Sequence, residues 1–279
     1  MLAGVPSRSP QVYAHLQMEA KLYVILGSHA CRTGMLMLEH KGIPYERVEL
    51  PTGLHPFLLR LHGFAGNPSA FRSLDDDRPH RMLGTIDRFG TVPSLNIDGQ
   101  RVKTNREIAR HLEQLRPDPP LFPSDPDQRR AVEEAEQWGD EVFQMVARRL
   151  VLTAGLHGRD GLANRGNEGR LGPLLIRSEQ MRYIAARFIA RFIFGGDARA
   201  EAGLIGGLPA MLDRIDGWIE SGVLNGDALN AADFMIAPSY ALLTYRPDLR
   251  AEVEGRPAMR LVDRLLPDPT AAQQAALAA

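Results

Sequence analysis

Three short segments bring together groups that can bind or react with a small molecule. Ser28-His29-Ala30-Cys31 collects a hydroxyl, an imidazole and a thiol where an apolar run gives way to a helical pattern. Thr91-Val92-Pro93 stands directly before a second strand-like run, and Thr104-Asn105 opens another helical one. In an open α/β sheet, ligands settle at such strand and helix ends. Ser28 is a good N-cap residue, because its oxygen can accept from an amide of the first turn. Cys31 reads either as a small buried core residue or as an exchanging thiol. His29 has the chemistry of a base, although a histidine beside a helix cap is commonly just solvated.

Composition narrows the setting. Of 279 residues, 33 are Lys or Arg and 34 are Asp or Glu, a net charge of −1 that lacks the basic excess of a dedicated nucleic-acid binder. With 44% apolar residues the chain is expected to fold around a core. A single cysteine excludes an intramolecular disulfide and any multi-cysteine zinc site. Unbroken apolar runs such as 22–26 are far shorter than the ~20 residues of a membrane span. Residues 1–17 lack the apolar core of a signal peptide, and 1–19 read as a disordered extension, with Met18 a second possible start. A cytoplasmic location is the default expectation.

The elements that must position the three segments can be read from punctuation. Five prolines between Pro117 and Pro126 form an extended linker. Before it, the order is strand (22–26), helix (from Ser28 to a stop at Gly42), strand (45–50), long loop, strand, Asp98-Gly99 hairpin, strand and helix, which suits a small open α/β sheet. After it, the patterns are helical. Val132 to Leu150 mark one long helix and residues 155–172 a glycine-rich loop. Ile184 to Ile193 mark a core-facing amphipathic helix carrying Arg182, Arg187 and Arg191. Leu208 to Ile219 mark another helix. Asn230 with Asp233 forms a helix cap, and Leu261 to Leu266 end the pattern. The tail 268–279 is expected to fray.

The segment 22–46, with its Ser28-x-x-Cys31 junction, resembles the first strand, helix and second strand of glutathione transferases. Val92-Pro93-Ser94-Leu95 with Asp98-Gly99 is similar to that family's Val-Pro step and hairpin, and Asn230 to Phe234 resembles the capping motif of its helical domain. The resemblance implies a thioredoxin-like α/β domain over 20–116 and an all-α domain over 127–267. It implies a dimer using glutathione as co-substrate, and no metal, to conjugate small electrophiles in detoxification. Ser28 would activate the thiol. Cys31, Val92, the cis-proline Pro93, Thr104 and Asn105 would contact glutathione, and Trp138 and Phe143 would line the electrophile pocket. Two other outcomes stay open, a thiol–disulfide reductase using Cys31 and a non-catalytic ligand-binding member.

Two departures from the family stand out. Many members carry Glu-Ser where this chain has Thr104-Asn105, so a partner for the ligand's ammonium group is missing and a different low-molecular-weight thiol is possible. Arg32 and Arg106 are candidate carboxylate partners. The loop 51–90 is longer than the family needs. Its His55, His62, His80 and Asp75 to Asp77 match no metal-ligand spacing, and it reads as a solvated lid.

Overall fold

The computed structural model of the chain describes residues 18–65, 90–157, 169–193 and 196–267. The sequence readings for 1–17, most of the lid, the middle of the glycine-rich loop, Gly195 and the tail lie outside these residues.

Strands β1 (Ala20–Val24), β2 (Glu46–Glu49), β3 (Ser94–Ile97) and β4 (Gln100–Lys103) form one sheet in the order β2-β1-β3-β4. β1 runs parallel to β2 and antiparallel to β3, and Leu22 pairs with Leu95. Leu22, Val24 and Leu95 are buried because β1 and β3 are the central strands. Helices α1 (His29–His40) and α3 (Asn105–Leu115) pack together beside this sheet, while α2 (His55–Leu61) occupies the start of the long loop. The architecture is thioredoxin-like, as the sequence implied.

The rest of the described chain is largely helical: α4 (Pro126–Trp138), α5 (Gln144–Thr153), α6 (Glu179–Phe188), α7 (Ala198–Glu220), α8 (Ala231–Leu243), α9 (Pro247–Glu254) and α10 (Met259–Leu265). The expected long helix 132–150 is instead two helices, joined by a π-helical turn at Gly139–Phe143. A side chain at Gly139 would meet Met235 at 2.9 Å, so the backbone of that turn lies tight against α8. A second π turn, Ile189–Ile193, extends α6.

Helix α8 is the axis of the helical part, and every one of its residues is buried. Its start is an N-terminal capping box. Asn230 Oδ1 accepts from the amides of Ala232 and Asp233, while Asp233 Oδ2 accepts from the Asn230 amide at 2.9 Å. Helix α1 packs directly on α8, with the rings of His40 and Phe234 5.1 Å apart, so one seam joins the sheet-containing part to the helices.

Lys41 closes that seam at the far end of α1. Its fully buried Nζ donates to Glu113 Oε2 (2.5 Å) and to the carbonyls of Arg116 (2.7 Å) and Pro119 (2.6 Å) in the proline-rich linker. Removing one partner of a buried pair leaves the other charge without compensation, at a typical cost of ~3–5 kcal/mol. Lys41→Met should therefore lower unfolding stability by about that much in urea denaturation, and a loss below ~1 kcal/mol would mean the linker is held elsewhere.

Candidate functional site

The amino end of α1 opens onto a cavity of about 1160 Å³ between the sheet-containing and helical parts. Ser28 stands at its polar side. The residue is the N-cap of α1, with extended backbone (φ −75°, ψ 118°), and its Oγ accepts from the Cys31 amide at 3.3 Å. It is half-buried and lines the cavity. The tight approach to this turn is made possible by Gly27, at φ +64°. A Cβ there would lie 2.3 Å from the Pro173 carbonyl oxygen, because residues 173–175 cross over it. The Thr52 hydroxyl donates to the Leu175 carbonyl at 2.8 Å and ties the same crossing segment to the loop after β2.

Val92 and Pro93 face Ser28's cavity from the start of β3, and the bond between them is cis. Thr104 caps α3 with its Oγ1 accepting from the Glu107 amide at 3.2 Å. Asn105 is buried on the cavity wall, and its Nδ2 donates to the Ala30 carbonyl at 2.9 Å. That bond locks the start of α3 to the first turn of α1 and commits part of the amide to the protein itself. Arg106 lines the cavity too, but it faces Glu136 and Glu141. Arg32 is not on the cavity; its charge lies 4.0 Å from Glu39.

Cys31 points the other way. It is buried in the core cluster and does not line the cavity. Burial pushes its thiol up to about 11, with the hydrogen bond to Ser28 pulling weakly back. Trp138 and Phe143 also lie away from the cavity. They stack at 5.4 Å inside the helical part, and Trp138 meets Trp218 edge-on at 5.3 Å, so the structure places them in packing and not in an electrophile pocket.

The apolar wall comes from elsewhere. Val151, Leu152, Leu174, Ile176, Met181, Ile184, Phe188 and, across the opening, Phe57 form it. Phe57, Met181, Ile184 and Phe188 each expose more than half of their surface. The core-facing expectation for the helix 184–193 holds only in part: Ile189 and Ile193 pack against the core, while Ile184 and Phe188 are exposed on the opening. Arg182 is fully buried, donating from Nε to the carbonyls of Leu174 (2.9 Å) and Ile176 (3.0 Å). His29 and His55, both singled out in the sequence, line the cavity, and the polar wall residues Asp140 and Arg148 were missed. His29 is buried with no hydrogen bond to its Nε2, not solvated. Arg148 falls two positions off the apolar stripe of its helix, a polar interruption that was the available signal.

The electrostatics follow from this crowding. Burial holds His29 well below its ordinary value, and the Arg148 charge adds to the effect. His55 is brought down to about 4 for the same two reasons. Both are neutral near pH 7. Asp140 is raised to about 6 by burial, against the pull of Arg106. Among the described residues no group of three or more His, Cys, Asp or Glu gathers as a metal site, and no helix is long and apolar enough to cross a membrane.

Residues 22–120 match the model of the glutathione S-transferase N-terminal domain. Several solved structures share the fold. A glutathione S-transferase of Ceriporiopsis subvermispora, in complex with glutathione, is 18% identical with a TM-score of 0.58, covering 88% of this chain and 98% of that one. The beta-etherase LigF of Sphingobium sp. strain SYK-6 is 19% identical with a TM-score of 0.56, over 88% of this chain and 94% of that one. A GST-like protein from Pseudomonas syringae is 19% identical with a TM-score of 0.54; 90% of this chain is covered but only 66% of that longer one. No curated relative matches the sequence.

The raised carboxyl of Asp140 makes a prediction. Its folded value of about 6 lies above the ordinary 3.8, so the native chain keeps this proton between about pH 4 and 6 while the unfolded chain has released it. Stability from this group therefore falls as pH rises through that window. Asp140→Asn should leave the melting temperature unchanged near pH 4 and raise it near pH 7, measured by thermal unfolding at both values.

Proposed function

We propose that the chain, whose residues 22–120 match the model of the glutathione S-transferase N-terminal domain, acts as a glutathione S-transferase: it binds glutathione, or a related low-molecular-weight thiol, and adds the thiolate to an apolar electrophile. The observation that carries the reading is the position of Ser28, whose hydroxyl caps α1 on the wall of the cavity shared with Val92 and the cis Pro93.

The attacking species is the thiolate, and a free thiol near pKa ~8.5 is mostly protonated at neutral pH. Lowering that value by ~2 units takes about 2.7 kcal/mol of preferential stabilisation of the anion. A helix amino terminus contributes roughly 0.3–1 kcal/mol, and up to ~2 when partly buried. A hydroxyl donating to a charged acceptor contributes about 1.5–3 kcal/mol. Ser28 supplies the hydroxyl and α1 behind it supplies the amino terminus, since a hydroxyl can accept from the Cys31 amide and rotate its hydrogen toward a ligand sulfur. The released proton goes to solvent. The sulfur then donates its electron pair to the electrophilic carbon, and either a leaving group departs with its bonding pair or the adduct carbanion takes up a proton.

Val92 would pair its backbone with the cysteinyl part of the tripeptide, as an added short strand does. The γ-glutamyl carboxylate would approach the amino end of α3 at Thr104 and Asn105. The Asn105 bond to Ala30 and the absence of an acidic residue at position 104 leave this end less fully matched to glutathione than in many relatives. The electrophile would lie on the wall of Phe57, Met181, Ile184 and Phe188, which replaces the Trp138 and Phe143 of the sequence reading.

The reductase alternative has the burial of Cys31 and its raised thiol value against it. Ser28→Ala should cut the conjugation rate with a general aryl-halide electrophile by about 10- to 100-fold, the size of one charge-assisted hydrogen bond, while glutathione affinity changes only a few-fold. Full turnover in Ser28→Ala together with loss of activity in Cys31→Ser would transfer the chemistry to the thiol.

A further inference from the structure

Helix α5 presents two polar side chains to the cavity, Gln144 and Arg148, one turn apart, and then the apolar Val151 and Leu152. Arg148 therefore stands at the junction of the polar and apolar halves of the wall. Ser28 and His29 lie on the same cavity, and the Arg148 charge bears on His29 and Cys31 at the first turn of α1 as well as on His55.

Its partners are weak. The guanidinium donates to Gln144 Oε1 at 3.1 Å and approaches Met145 Sδ at 4.0 Å, both on its own helix. Among the described residues no carboxylate lies within ion-pair distance of it. Asp140 feels its charge but forms no ion pair with it. The other two arginines on the wall differ: Arg106 faces Glu136 and Glu141, and Arg110 is bound to both oxygens of Glu136. The two nearby histidines are neutral at pH 7 and offer no competing charge. A half-buried cation without a counter-charge is costly, and the cost is offset when an anion enters.

We propose that Arg148 is a catalytic residue that holds the ligand's sulfur anion from the helical side of the cavity, opposite the Ser28 hydroxyl. The assignment rests on the reading of Ser28 as the thiol site. It adds a full positive charge to the partial charge of the α1 amino end, and a charge beside a thiol is an effective means of lowering its pKa. The step it assists is simple ionisation: the S–H bond breaks, the proton leaves to solvent, and the electron pair stays on sulfur.

Three probes distinguish this role from general tripeptide binding: glutathione, glutathione sulfonate with a permanent negative charge at sulfur, and S-methylglutathione with none. Calorimetry on the full chain should show that Arg148→Met loses about tenfold in affinity for the sulfonate and little for the S-methyl compound. The thiolate absorbance of bound glutathione should titrate about one pH unit higher than in wild type. Arg148→Lys, which keeps the charge and guards against a folding defect, should recover part of both. Equal losses for the sulfonate and the S-methyl compound would overturn the proposal and assign Arg148 to a carboxylate of the tripeptide. An unchanged thiol titration in Arg148→Met would overturn it while leaving Ser28 as the thiol site. Failure of the wild type to bind any of the three would overturn both readings.

Discussion

The site depends on how α1 is held. Its amino end must stay open to a ligand while the rest of the helix is buried. The packing of α1 on the fully buried α8 meets the second demand, and Lys41 locks the opposite end of α1 to the linker. With the body of the helix fixed in this way, the amides of its first turn point in one direction. Ser28, Cys31 and the Ala30 carbonyl then acquire distinct tasks: a hydroxyl on the cavity, a thiol in the core, and an anchor for Asn105. A rigid scaffold around a few polar groups is what precise orientation of a small ligand requires.

What could be read directly in the sequence was local. The strand 22–26 with its Gly27 break, the Asp98-Gly99 hairpin and the Asn230–Asp233 cap are each specified by neighbouring residues, so turn chemistry and capping rules find them. Ser28 belongs to the same group, because a cap is a local device. The features that escaped detection arise from contacts far apart in the chain. Arg148 gains meaning only because α5 and the start of α1 line the same cavity. Trp138 and Phe143 looked suited to a pocket, being aromatic and on the first helix after the linker, yet the π turn between α4 and α5 directs them to Trp218 and Tyr240 instead. Periodicity cannot register such a turn, because one extra residue rotates every later side chain.

The helix 179–193 is the sharpest case. Its pattern of Ile184, Phe188, Ile189, Phe192 and Ile193 reads as a core-facing stripe, and the expected geometry would bury it. The fold leaves Ile184, Phe188 and Phe192 exposed and instead buries Ala186, Ala190 and the charged Arg182. Arg182 satisfies its guanidinium on the carbonyls of Leu174, Ile176 and Arg177, and the start of that segment, Pro173 and Leu174, crosses Gly27, where the absence of a side chain admits it. Leu171 and Gly172 are fastened in turn by the Tyr245 hydroxyl, which accepts from one and donates to the other. A helix anchored by hydrogen bonds to backbone does not need its apolar stripe for stability. Released from the core, that stripe is free to form the apolar side of the cavity opposite Ser28. The same crossing segment thus sets both the approach to the α1 amino end and the orientation of the apolar wall, so the polar and apolar halves of the cavity are positioned by one polar anchor rather than by two independent packing solutions.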